Sequence, residues 1–185
     1  VLQAQGVNAF GCHGASGKLI VAARRPPIRV SGGGRELIDF GEVGDVTAIN
    51  TTLLGRLLAA DQIPVIASLG INHSGEVFNI NADTTAAQIA RQMSARLLIF
   101  VTSIGGIFKD IKDPASRFTH IDAVTARQHI DNGIIVGGMI PKVEEALSLL
   151  ESGVDTIAIA DSRDGQAFSN IAAGKRHHGT LITAH

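Results

Sequence analysis

Three short stretches carry residue types suited to a charged, phosphorylated ligand. The first is Gly133-Ile-Ile-Val-Gly-Gly-Met-Ile-Pro-Lys142, after which Val143, Ala146, Leu147 and Leu150 recur at helical spacing. Gly137 and Gly138 open a turn ahead of Met139, and Pro141 suits a first helical turn because its missing N–H needs no partner there. A helix start offers free N–H groups and the positive end of the dipole, both of which attract phosphate. Lys142 would add a full charge at that point. The same residues also read as a glycine-capped loop and an amphipathic helix with a solvated lysine, and the local pattern leaves the two readings level.

The second stretch is Val77-Phe-Asn-Ile-Asn-Ala-Asp83. Asn79, Asn81 and Asp83 lie two apart, so an extended segment projects them to one side. Two amides and a carboxylate can hold a polar substrate while the carboxylate fixes a neighbouring cation. At about 4 Å and an effective dielectric near 20, an Asp–Lys pair is worth roughly 4 kcal/mol before desolvation. The alternative is that Asp83 caps a helix starting at Thr84 and the asparagines form Asx-turns. The third stretch is Thr102-Ser103-Ile-Gly105-Gly106, directly after the apolar run Leu97-Leu-Ile-Phe-Val.

Other suggestive residues read more plainly. His177 and His178 are adjacent, point to opposite sides of an extended chain and have no evident third ligand, so no metal site is expected. His13 reads as part of a turn, and Cys12 as a small apolar residue. Ser31-Gly-Gly-Gly34 lacks the lysine and hydroxyl residue of a P-loop and falls between two strand candidates, so it reads as a hairpin tip. No G-x-S-x-G nucleophile elbow occurs, and no G-x-G-x-x-G opens a helix after the first strand.

The elements that must position these stretches follow from periodicity. Residues 1–6 read as the last turn of a helix capped by Gly6, and residues 7–11 as a short buried strand. Strands over 18–23 and 37–44 suggest an antiparallel β flap spanning 18–43. Asp45 or Thr47 is expected to cap a helix carrying Ile49, Leu53, Leu54, Leu57 and Leu58 on one face. Val65-Ile-Ala-Ser-Leu69 reads as a buried parallel strand, residues 73–75 as a hairpin, and residues 84–94 as a helix. Residues 97–102 form the most strongly marked buried strand. A polar excursion over 108–121, a helix over 123–132 and a strand over 156–160 complete the main pattern, with a short helix at 165–173 and a strand at 179–182. Alternating strands and helices predict an α/β fold, read as one unit with a flap and a mainly parallel sheet covered on both faces. Ligands then bind beyond the C-terminal strand ends, where the three stretches lie.

Composition narrows the partners. The 185 residues carry 16 basic and 17 acidic side chains, a formal charge of −1, so no global field recruits nucleic acid or an anionic membrane. There is no Trp or Tyr, which argues against base-stacking platforms. The single cysteine excludes an intramolecular disulfide. No apolar run is long enough to span a bilayer, and a soluble, cytoplasmic protein is expected. The sequence begins at Val1 within an apparent helix end, so an upstream part is expected to be missing.

Taken together, Phe40-Gly-Glu-Val-Gly-Asp-Val-Thr-Ala-Ile-Asn50, Ile63-Pro-Val-Ile-Ala-Ser-Leu-Gly70, Phe78-Asn-Ile-Asn-Ala-Asp83 and Gly137-Gly-Met-Ile-Pro-Lys-Val-Glu-Glu-Ala146 resemble the N-acetylglutamate kinases of the amino acid kinase family. The resemblance runs in order through nearly all of the chain, and Gly179-Thr-Leu-Ile182 fits its end. It implies a three-layer αβα sandwich, with residues 60–185 as the nucleotide-binding part of a kinase domain lacking its N-terminal portion. It implies ATP with Mg²⁺, N-acetyl-L-glutamate as phosphoryl acceptor in arginine biosynthesis, and assembly as a homo-oligomer. Lys142 would neutralise charge on the transferring phosphoryl group, Asp83 would organise catalytic lysines, and Asn79, with Asn81, would hold the acceptor. Thr102, Ser103, Gly105, Gly106, Gly137, Gly138 and Met139 would lie at the nucleotide.

Two departures stand out. The family usually has Thr-Asp where this chain has Thr102-Ser103, and no lysine here is followed by x-Gly-Gly. The chain alone is therefore expected to bind nucleotide without turning over. A related kinase with another acylated amino acid, or a non-catalytic kinase-like domain that binds nucleotide or arginine, are the competing readings.

Overall fold

A computed structural model describes residues 1–28, 37–175 and 177–185. The expected hairpin tip at 31–34 lies outside the described residues. The chain divides into two compact units, Val1–Gln92 and Met93–His185, so the expected nucleotide-binding part over 60–185 straddles their boundary.

In the first unit the order is β1 (Ala9–His13), β2 (Ile20–Arg24), β3 (Gly44–Ile49), α1 (Thr51–Ala59), β4 (Ile63–Ala67), β5 (Leu69–Ile71), β6 (Val77–Asn79) and α2 (Ala82–Gln92). Strands β1 and β4 pair in parallel as a two-stranded sheet. A second sheet runs β3-β2-β5-β6, with β2/β3 and β5/β6 antiparallel and β2/β5 parallel. Leu19, Ile20, Leu54, Phe78 and Ile80 are buried here.

Three local expectations are corrected. His13 belongs with Cys12 to β1, not to the turn that follows it, and this strand is not buried, since Phe10 is 40% exposed. The strand returning against β2 is Gly44–Ile49 instead of 37–44, although the Ile28–Ile38 bridge extends the antiparallel pairing outward. The helix expected from 45 or 47 therefore starts only at Thr51. Asn50 is its N-cap, its side chain accepting from the Leu53 N–H at 3.0 Å. Val46, Thr47 and Ile49 are β-branched and fit a pleated strand better than a first helical turn. The fourth correction concerns burial. Strand β4 is parallel as expected, but Ile63 is 53% and Val65 45% exposed.

In the second unit the order is β7 (Leu97–Thr102), β8 (His120–Asp122), α3 (Ala123–Asp131), α4 (Met139–Glu151), β9 (Thr156–Asp161), α5 (Ala167–Ala172) and β10 (Gly179–Thr183). One sheet runs β7-β9-β10-β8, with β7/β9 and β8/β10 parallel and β9/β10 antiparallel. The polar excursion thus contains a strand, β8, which joins the sheet edge through three paired residues. Helix α4 buries Val143, Ala146, Leu147, Leu149 and Leu150, and β9 buries four residues in a row, Ile157 to Ala160. The fold is α/β, with helices interleaved among parallel and mixed strand pairs.

Candidate functional site

In the first unit the segment 78–83 changes conformation midway. Phe78 and Ile80 are buried while Asn79 and Asn81 are exposed, as period-two alternation requires. The Asn79 N–H donates to the Glu42 carbonyl at 2.8 Å, tying the end of β6 to the segment just before β3 and leaving the amide side chain at the surface. Alternation then stops, because Asn81 starts α2. Its Oδ1 accepts from the Thr84 N–H at 3.0 Å, and its carbonyl accepts from the Thr85 N–H and hydroxyl, both at 2.9 Å. Asn81, not Asp83, is therefore the cap. Asp83 lies in the first turn of α2, where the helix dipole favours a carboxylate.

In the second unit α4 begins at Met139 with Gly138 as N-cap, so Pro141 falls in the first turn and Lys142 directly after it. Gly137 has φ +59°, a conformation that the preceding turn needs and that a side chain would strain. The expected row of free N–H groups at this helix start is not what forms. The Met139 N–H donates to the Val136 carbonyl at 3.3 Å, the Ile140 N–H donates to the Gly137 carbonyl at 3.2 Å, and Pro141 has none. The attraction for an anion then rests mainly on the dipole and on Lys142. The Lys142 Nζ stands 5.8 Å from the centroid of the Phe100 ring on β7, a cation–π distance that places the ammonium over that strand.

The loop after β7 is held at both ends. The Gly105 N–H donates to Thr102 Oγ1 at 2.9 Å, and the Ser162 N–H donates to the Thr102 carbonyl at 3.0 Å. Thr180, fully buried on β10, accepts from the Ile107 N–H at 2.9 Å and donates to the Phe118 carbonyl at 2.6 Å. Gly105 has φ +74°, and a Cβ there would stand 2.5 Å from the Asp161 Cβ, so glycine is required twice over. A mainly apolar cleft of about 240 Å³ lies beside this loop, its walls including Ile104, Gly106, Phe108, Ile111, Val136 and Met139. Such a lining suits a flat heterocycle. The structure thus brings Gly106 and Met139 to one cleft. Thr102 braces the loop from below, and Ser103 lines a neighbouring cleft.

Sequence reasoning missed Asp161 and Arg163, which line that neighbouring cleft. The Arg163 guanidinium and backbone N–H both bind the Asp161 carboxylate, which holds its pKa down to about 2. The available signal was an acidic residue closing an apolar strand at its C-terminal end. Among the described residues, no three His, Cys, Asp or Glu side chains gather as a metal site, and no helix is long and apolar enough to cross a membrane.

Comparison with known proteins agrees with this architecture. The chain is 45% identical over 158 residues to an acetylglutamate kinase of Anaeromyxobacter sp. strain Fw109-5, covering 85% of this chain and 58% of that protein. An acetylglutamate kinase of Clostridium acetobutylicum is 39% identical over 178 residues, covering 96% of this chain and again 58% of the relative. The chain therefore spans little more than half the length of these relatives. Among solved structures, smu.665 from Streptococcus mutans UA159 superposes with a TM-score of 0.70 at 29% identity, covering all of this chain and 64% of that one. The family model described as amino acid kinase family matches residues 1–161. On this match, carried by a fold of the same kind, the chain belongs to the amino acid kinase family.

Proposed function

We propose that this chain holds the nucleotide, and part of the acceptor, in an enzyme that phosphorylates the γ-carboxylate of N-acetyl-L-glutamate with ATP. The observation that carries this is the 45% identity to an acetylglutamate kinase. An acceptor carboxylate oxygen attacks the γ-phosphorus, the bond to the β–γ bridging oxygen breaks, and ADP leaves with that oxygen. This chemistry needs alignment and charge stabilisation more than a protein nucleophile. Lys142, carried at the start of α4, supplies the positive charge for the phosphoryl group. Asp83 organises the catalytic lysines, and Asn79 with Asn81 contacts the acetylated amino acid.

The nucleotide lies along residues 102–106 and the turn Gly137-Gly138-Met139, with its base in the apolar cleft. Mg²⁺ enters on the phosphates of ATP, since it keeps several waters and needs few protein ligands. The working protein is a cytoplasmic homo-oligomer that serves arginine biosynthesis.

Two measurements test the reading. Calorimetric titration of the 185-residue chain with MgATP should give saturable binding without turnover of N-acetylglutamate; absence of binding would remove the nucleotide assignment. In a polypeptide of the relatives' length, Lys142→Ala should lower turnover by about 10²–10³, as expected for loss of one charge-stabilising donor. A change below about threefold would strip Lys142 of its role.

A further inference from the structure

Beside the apolar cleft lies a second one of about 280 Å³, lined by Ser103, Ile104, Phe108, Arg117, Asp161 and Arg163 among others. Ile104, Phe108 and Ile111 belong to both, so a ligand whose flat part occupies one can extend into the other. The two differ in chemistry: the first is mainly apolar with Lys109 and Asp110 among its lining, whereas only the second presents guanidinium groups, those of Arg117 and Arg163, beside a carboxylate.

The Asp161 carboxylate is firmly placed but not fully used. Its Oδ1 accepts from the Arg163 N–H at 2.8 Å and from Arg163 Nε at 2.9 Å, and its Oδ2 accepts from Arg163 Nη2 at 2.6 Å. A carboxylate offers about four lone-pair sites, so one remains, on Oδ2. That oxygen is on the side where Gly105 has no side chain; a Cβ there would stand 2.8 Å from it. The Asp161 side chain is 18% exposed, so the oxygen is reachable from the cleft. Being ionised, the group accepts only, and its partner must be a donor. A phosphate oxygen is repelled there, whereas an alcohol is welcome.

We propose that Oδ2 of Asp161 accepts a hydrogen bond from a ribose hydroxyl of the bound nucleotide, with Ser103 on the same cleft wall beside the second hydroxyl. This rests on the nucleotide reading above and adds to it the residue that recognises the sugar. Arg163 then acts as a positioning residue, fixing the carboxylate with two of its side-chain donors and its backbone N–H. Gly105 serves both the turn and the access to the oxygen.

The test is calorimetric titration of the chain with ATP, 2′-deoxy-ATP and 3′-deoxy-ATP, for the wild type and Asp161→Asn. In the wild type at least one deoxy analogue should bind about tenfold more weakly than ATP, the scale of a lost hydrogen bond to a charged group. Asp161→Asn should bind ATP as weakly as that analogue, while its affinity for the analogue itself stays within twofold of wild type. A residue that merely shaped the loop would weaken all three nucleotides alike, and that outcome overturns the proposal. So does equal wild-type affinity for the three nucleotides, or discrimination that survives in the variant. If the wild type binds none of them, the nucleotide reading falls and this inference with it.

Discussion

Two strands with parallel partners, β4 in the first unit and β9 in the second, are made of similar residues and end in opposite environments. Strand β4 reads Ile63-Pro-Val-Ile-Ala67 and β9 reads Thr156-Ile-Ala-Ile-Ala160-Asp161, so both are apolar runs by sequence. In β9 the residues Ile157 to Ala160 are all buried, whereas in β4 exposure alternates and leaves Ile63 and Val65 about half open. The difference lies in the neighbours. Strand β9 has β7 on one edge and β10 on the other, and α4 and α5 pack against it. Among the described residues, β4 pairs only with β1. Burial is thus conferred by partners and is not a property of the run itself: β9 is buried, whereas the two runs expected to be buried, 65–69 and 97–102, are not, with Val65 and Val101 each 45% exposed and Phe100 the one buried residue of β7.

The sharpest way to break this comparison is to shorten one side chain in each strand. Ile157→Ala should cost about 2–5 kcal/mol, since the site is closed and a cavity remains. Val65→Ala should fall within about 0.5 kcal/mol, as expected at a half-open surface position. Urea denaturation of the two variants beside wild type reads both, and equal midpoints would mean that the β4 face is covered in solution. A smaller effect is expected from Thr180→Val, which keeps the shape but leaves the Ile107 N–H without its buried acceptor. That should cost about 1–3 kcal/mol, read by the same denaturation series.

The smallest effect concerns pH. The folded pKa of Asp161 is depressed from 3.8 to about 2, chiefly by its hydrogen bonds with Arg163. A depressed carboxylate stabilises the fold above its unfolded pKa and loses that contribution as pH falls through the folded value. The difference in thermal midpoint between wild type and Asp161→Asn should therefore be constant above about pH 5 and shrink between about pH 4 and 2. A difference that grows on acidification would show that the pairing with Arg163 does not persist in solution.

Much of the second unit was legible in the sequence because its signals are local. The run 97–102 stands out by composition, and α4 by its glycines, proline and helical spacing of apolar residues. Gly133, with φ +66°, follows α3 at the expected place. The misplacement of α1 has a physical origin. Ile49 shares helical spacing with Leu53, so a strand residue was counted into the helical stripe until the Asn50 cap and the pairing with β2 drew the boundary. The roles of Asp161 and Thr180 depend on residues brought near only by sheet pairing. Asp161 meets the loop because it lies opposite Thr102 in the β7/β9 register, which no single stretch of sequence contains. The helix start at Met139 also looked richer in donors than it is, because the turn at 136–138 consumes two of them.

The Thr180 hydroxyl has a consequence for how the chain is made. It joins Ile107 to a strand 73 positions later, so during synthesis the loop at 102–107 leaves the ribosome well before its anchor. Closing so long a segment costs entropy that is recovered only when β10 docks beside β9 and β8. The part proposed to grip the nucleotide is accordingly among the last to acquire its final form. A nascent chain stalled before position 180 would hold the glycines of that loop but not the latch that sets their shape.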